Sequence, residues 1–125
     1  MIRGIHHVSM KCGDPEKFSE AYTFYTEVLG LKLLRSWDAG VMLDTGGGLL
    51  EIFNNGSGVP EIGAVRHFAL AADDTDEIIE KVRKAGYEVF VGPKNIVIQS
   101  DPPFPARIAF FRGPLNEEVE IFQEL

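Results

Sequence analysis

Cysteine is almost missing from this chain: Cys12 is the only one in 125 residues. That excludes an internal disulfide framework and agrees with a reducing compartment. Basic residues are also in short supply. Twelve Lys and Arg stand against nineteen Asp and Glu, a formal net charge of −7, and no Lys/Arg block occurs anywhere. Nucleic acid and anionic membrane surfaces are therefore not expected partners. No apolar run approaches the roughly 18 residues of a membrane-crossing helix, and the start, MIRGIHHVSM, lacks the apolar core of a signal peptide. A soluble, cytoplasmic protein is expected, with residues 1–125 forming one domain large enough to bury a core. Tryptophan occurs once and histidine three times, so where the histidines fall is informative.

They fall in strand-like runs. GIHHVSM (4–10) holds His6 and His7, and AVRHFAL (64–70) holds His67. Each run opens the same succession of elements. After a strand over 4–11, Asp14-Pro15 caps and starts a helix. Phe18, Tyr22, Tyr25, Val28 and Leu29 recur at helical spacing until Gly30 stops it. Strands follow near 31–37, 40–44 and 49–54, with Gly46-Gly47-Gly48 as a hairpin turn; the missing GK[ST] makes a phosphate cradle the poorer reading. The second half repeats the order. A strand over 65–71 leads to a helix capped by Asp73-Asp74-Thr75, carrying Ile78, Ile79 and Val82 and ending at Ala85-Gly86. Strands near 87–91, 95–99, 106–112 and 118–123 complete it. The pattern is an α+β fold of two tandem βαβββ modules, about 1–56 and about 64–125, joined by the Gly/Pro link 56–63.

The repeat carries chemistry at matched places. His7 and His67 sit in the first strand of each half, and Glu51-Ile-Phe and Glu120-Ile-Phe in the last. Side chains alternate between the faces of a strand. His7 therefore shares a face with Ser9 and Lys11, opposite His6, Val8 and Met10. Glu51 lies with Leu49, Phe53 and Asn55, opposite Leu50 and Ile52; Glu120 lies with Glu118 and Phe122, opposite Val119 and Ile121. Each half thus offers one His and one Glu from the sheet face that its helix leaves open. Two curved mixed sheets brought together would converge two imidazoles and two carboxylates around a metal site. That donor set suits one divalent ion per site, nickel, cobalt, zinc, iron or manganese, with positions left for water or substrate. Other features read more plainly. His6 is expected to be packed, Cys12 to be buried, Phe24, Tyr25 and Trp37 to be mostly core, and Asp73, Asp74, Asp76, Glu77 and Glu80 to form a cap and a solvated helix face.

Over nearly its whole length the chain resembles the vicinal oxygen chelate superfamily, which includes glyoxalase I, methylmalonyl-CoA epimerase, extradiol dioxygenases and the fosfomycin and bleomycin resistance proteins. FYTEVLGLKLLRS (24–36) is similar to the FYxxVLGMKLLR segment of bacterial glyoxalase I, and the spacing from His7 to the Asp14 cap is kept. The resemblance implies metal ligands His7, Glu51, His67 and Glu120, a set most like that of glyoxalase I. It implies a glyoxalase-like, metal-dependent lyase acting on a chelated α-hydroxycarbonyl, such as a thiol–methylglyoxal hemithioacetal, through an enediolate. Glu120 is then the proton-transferring base with Glu51 as its counterpart, and Lys11 and Asn55 contact the substrate. Where glyoxalase I carries a Lys-Gly-Gly loop this chain reads QSDPPFPAR (99–107), so the thiol cosubstrate stays open. A non-haem iron dioxygenase and a small-molecule-binding, resistance-type protein are the alternatives. A homodimer is expected, with the modules paired within one chain or exchanged between two.

Overall fold

The computed structural model describes residue 1, residues 3–56 and residues 65–125. The Gly/Pro link expected at 56–63 falls almost entirely outside the described residues. The chain divides into two compact units, Met1–Glu61 and Ile62–Leu125.

In the first unit β1 (His7–Lys11) leads through helix α1 (Pro15–Thr23) to β2 (Lys32–Trp37), β3 (Gly40–Asp44) and β4 (Leu49–Phe53). The sheet order is β1-β4-β3-β2, with β1 parallel to β4 and the other pairs antiparallel. The second unit repeats the order with β5 (Phe68–Ala71), α2 (Thr75–Lys84), β6 (Val89–Ile98), β7 (Phe104–Arg112) and β8 (Glu118–Glu124), arranged β5-β8-β7-β6 with β5 parallel to β8. Each unit is a βαβββ module on a four-stranded mixed sheet, and its crossover helix closes the parallel pair as such pairs require. Among the described residues no helix is long and apolar enough to cross a membrane.

Local chemistry sets the elements. Both helices begin at an aspartate whose carboxylate accepts a backbone N–H in the first turn, Asp14 from Lys17 at 2.7 Å and Asp74 from Glu77 at 3.0 Å, which satisfies donors a helix start leaves free. The Gly46–Gly48 turn joins β3 to β4, as expected, with the Thr45 hydroxyl donating to the Gly48 carbonyl. Burial follows strand parity. Val41, Leu43, Leu50 and Ile52 form the core of the first unit with Cys12, Ala21, Phe24 and Tyr25; Ile79, Val82, Ala109, Phe111, Val119 and Ile121 form that of the second. Helix α2 is also tied to its sheet from outside. Arg107 forks onto the Asp76 carboxylate and donates to the Asn95 side chain. The Arg107 guanidinium, chiefly through its hydrogen bond, holds the Asp76 carboxyl below its usual range.

Four expectations need correction. The first helix does not run evenly to Gly30: its α-helical part ends at Thr23 and Phe24–Val28 form a π-helical turn. Phe24 and Tyr25 are consecutive yet both fully buried, packed edge to face at 5.1 Å; the wider turn keeps both rings on the core side, where a regular helical step separates neighbours. His6 is not packed. It is exposed and precedes β1, because the parallel ladder with β4 starts at His7. Trp37 is not core either, being 39% exposed, since β2 is an edge strand with all six residues solvent-facing. Finally, the strands expected at 87–91 and 95–99 are one strand. The Gly92-Pro93 pair that suggests a break is absorbed by two register shifts against β7. A bulged edge strand tolerates a proline that has no N–H to give.

Gly92 makes that continuation possible: its φ is +72°, and a Cβ there would collide with the Ile108 carbonyl oxygen. Gly92→Ala is expected to cost more than about 1 kcal/mol. Denaturant titration of the variant should show a lowered midpoint; an unchanged midpoint would refute the constraint.

Candidate metal centre

The parallel pairing brings the two chemically distinctive strands of each unit together. In the first, Ser9 is registered with Glu51, and His7 lies two residues along on the same face. The His7 imidazole reaches back so that its Nε2 is 3.6 Å from Glu51 Oε1. In the second unit His67 immediately precedes β5, one residue short of the ladder expected to contain it. Its Nε2 still lies 3.2 Å from Glu120 Oε2. Both carboxylates are largely covered, with side chains 10% and 12% exposed, whereas both imidazoles are 38% exposed. A covered carboxylate needs a partner, and in each unit the histidine faces it.

Each pair suits a shared ion. Two donors bound at about 2.0–2.2 Å from one metal stand roughly 3.0–3.4 Å apart at right-angle or tetrahedral openings. The separations of 3.6 and 3.2 Å lie close to that window. Imidazole nitrogen with carboxylate oxygen is also a suitable donor mix for a divalent transition ion. Within neither unit do three or more His, Cys, Asp or Glu side chains cluster among the described residues.

The surroundings of the two pairs differ. In the first unit His6 Nδ1 lies 3.0 Å from His7 Nδ1, so the nitrogen of His7 turned away from Glu51 has a hydrogen-bond partner. The open face continues with Met42 and Arg35, registered in line with Glu51 across β3 and β2. One step along lie Lys11, Phe53 and Trp37. Lys11 Nζ stands 5.8 Å from the Phe53 ring centre, and Trp37 meets Phe53 edge to face at 5.7 Å. In the second unit His67 rests edge to face on Phe110 at 5.1 Å. Phe90 adjoins Phe110, and Arg112 stacks on Phe90 while pairing with Glu118 and Glu88.

Lys11 therefore sits on the expected face. Asn55 is exposed just beyond β4, and it is the neighbouring Asn54 that is engaged, donating to the Asp38 carbonyl at 2.8 Å. The repeat is asymmetric at these two places: counting from the paired histidines and glutamates, Lys11 corresponds to Ala71 and Asn55 to Glu124. Ala71 and Glu124 line a cleft of about 370 Å³ with Asp73 and Phe122. Sequence reading did not mark Phe90, Phe110 or Arg112, although strand parity within 106–112 places Phe110 and Arg112 on one face.

Residues 4–120 match the model of the Glyoxalase/Bleomycin resistance protein/Dioxygenase superfamily. The chain belongs to this superfamily. Among similar proteins, lactoylglutathione lyase of Escherichia coli O157:H7 is 29% identical over 132 residues, covering 94% of this chain and 90% of that protein. Lactoylglutathione lyase GLX1 of Arabidopsis thaliana is 34% identical over 129 residues, 94% of this chain but 43% of that longer protein. The trypanothione-dependent glyoxalase I of Leishmania major shares the fold at a TM-score of 0.73 with 25% identity, over 98% of this chain and 87% of that one. An antibiotic-binding protein from Streptomyces sp. CB03234 superposes equally well, at 0.73 and 22% identity over 99% and 98% of the two chains. The superfamily fold therefore hosts both catalysts and binders, and the site has to separate them.

Proposed function

We propose that this superfamily member is a divalent-metal-dependent lyase of the glyoxalase I kind, isomerising an α-hydroxycarbonyl such as a thiol–2-oxoaldehyde hemithioacetal. The observation that carries the reading is the His–Glu pair on the open face of both units, at 3.6 and 3.2 Å. A binding protein has no need of two such pairs at equivalent places. Similarity to lactoylglutathione lyases over most of the chain supports the same reading. The lone buried thiol, Cys12, fits a reducing compartment, and we assign the protein to the cytoplasm.

His7 and Glu51 from one unit and His67 and Glu120 from the other would hold one ion. Bound there, a divalent ion supplies Lewis acidity, withdrawing charge from the substrate oxygens and acidifying the adjacent C–H. The protein's own part is proton transfer. Glu120 takes the proton from the hydroxyl-bearing carbon as the C–H electron pair forms the enediolate double bond, then returns it to the neighbouring carbon, while the hydroxyl proton passes from the first oxygen to the second so that the first carbon becomes the thioester carbonyl. The result is a redox-neutral shift from hemithioacetal to hydroxyacyl thioester. The low exposure of Glu120 and the Phe110 and His67 rings beside it, which limit water around the carboxylate, support that role. Glu51 faces the opposite side of the substrate, and Lys11 and Asn55 take the thiol carrier.

Assembly follows from the edges. β2 and β6 are the outer strands of their sheets, and Leu33, Leu34, Val97 and Ile98 on them are exposed. Such edges invite cover by another chain, and closed two-fold dimers are the commonest solution. We propose a homodimer with two equivalent sites, its modules either paired within one chain or exchanged between two.

Alanine at His7, Glu51, His67 or Glu120 should lower the metal content of purified protein at least about tenfold, while His6→Ala keeps it. Full occupancy in a His67→Ala/Glu120→Ala double variant would reject the ligand assignment. Glu120→Gln should cut kcat by roughly 10²–10⁴ without oxygen uptake, and turnover that consumes stoichiometric oxygen would favour the dioxygenase. Exchange predicts that a Glu51→Ala chain refolded together with a Glu120→Ala chain recovers part of the activity, because a mixed dimer contains one intact site. No recovery in confirmed mixed dimers would show that both pairs come from the same chain.

A further inference from the structure

Strand β4 ends at Phe53, and the chain leaves it through Asn54-Asn55-Gly56. The two asparagines are held very differently. Asn54 is locked, its N–H donating to the Ala39 carbonyl and its side chain to the Asp38 carbonyl, both at 2.8 Å. Asn55 is exposed, and neither its amide nor the Gly56 N–H has a hydrogen-bond partner among the described residues. Gly56 is fixed by packing: a Cβ there would collide with the Cys12 carbonyl oxygen and stand 3.1 Å from the Lys11 Cβ. Only glycine fits, so Asn55 is followed by the one residue whose side chain cannot shield its own backbone nitrogen. Of the chain's four asparagines, Asn54, Asn55, Asn95 and Asn116, Asn55 alone precedes a glycine.

That combination is chemically labile. Once the Gly56 nitrogen gives up its proton to hydroxide, it can attack Asn55 Cγ, because no Cβ obstructs the approach and glycine reaches the required backbone angles at little cost. The N–Cγ bond forms as the Cγ–Nδ2 bond breaks, and ammonia leaves with a proton from water. A second water then opens the cyclic imide at either carbonyl, leaving aspartate or isoaspartate. The net change is hydrolysis of an amide to a carboxylate, with no oxidant or reductant. The new charge arises beside Lys11. Position 56 packs against the Lys11 Cβ, and the Lys11 ammonium overhangs the ring of Phe53, two residues before Asn55.

We propose that Asn55-Gly56 is a spontaneous modification site, where deamidation installs a carboxylate that pairs with Lys11 and withdraws that cation from the substrate. The consequence for substrate rests on the proposed function, which gives Lys11 and Asn55 to the thiol carrier; the modification itself does not. Both His–Glu pairs are untouched, so the modified protein keeps its metal ligands while its hold on the carrier weakens.

The test holds the purified full-length protein in mildly alkaline buffer for days, beside a mildly acidic incubation and a urea-unfolded sample, and maps its peptides by mass. Conversion is expected at Asn55 in the folded protein, faster in the alkaline sample, with isoaspartate detected by an isoaspartyl methyltransferase. Asn54, Asn95 and Asn116 should keep their amides, and Asn55→Gln, which must close a larger ring, should stay intact. An Asn55 that keeps its amide in the folded protein while the unfolded chain converts would overturn the proposal. The second readout, acetylation of Lys11 by an N-hydroxysuccinimide ester, needs no substrate. It should slow about two- to fivefold in the converted protein and in Asn55→Asp, relative to Asn55→Gln. Equal Lys11 reactivity in all three would overturn the pairing. Metal content of the same samples is read separately, so failure of the metal-site reading is distinguishable from failure of the modification.

Discussion

The structure depends on one pairing: in each module the first strand lies parallel and adjacent to the last. β1 beside β4 and β5 beside β8 are the contacts that place a histidine near one end of the sequence repeat within 4 Å of a glutamate near its other end. A parallel pair cannot be closed by a tight turn, so a helix must cross between the strands. That helix covers one face of the sheet and takes the apolar residues of alternate positions as its core. What remains is an open face bearing the polar members of the same strands. Fold and site are thus two consequences of a single parity rule.

The open faces are alike in their ligand pairs and unlike around them, a division that fits a duplicated scaffold whose halves have separate duties. In the first unit the neighbours are the Lys11 ammonium over Phe53, the Phe53–Trp37 pair and the His6 ring; in the second they are Phe110 and Phe90, with Arg112 paired to two carboxylates. The Glu120 carboxylate thus has aromatic company, with Phe110 beside it in register and the His67 ring in contact.

Much of this was legible in the sequence, because the strongest signals were periodic or repeated. Asp14 and Asp74 mark both helix starts, period-two alternation assigns Leu50, Ile52, Val119 and Ile121 to the core, and the duplicated Glu-Ile-Phe aligns the last strands. The family and the two-module fold followed from these residues together. Three of the four misreadings share a cause: each concerns a residue whose fate is set by strand order and pairing, which are not encoded locally. Trp37 looks like core until β2 proves to be an edge, and Gly92-Pro93 looks like a break until β6 proves to be an edge able to bulge. His6 looks packed until the ladder begins one residue after it. The π-helical turn at Phe24–Val28 was hidden for a different reason, since its apolar spacing imitates an ordinary helix.

The central claim is that the two modules give one histidine each to a single ion, and X-ray absorption spectroscopy of nickel-loaded protein tests it most directly. The account predicts two imidazoles per nickel with oxygen donors completing the shell, falling to one imidazole in His7→Ala and in His67→Ala alike. One imidazole per nickel in the unaltered protein, or a spectrum indifferent to either substitution, would contradict it.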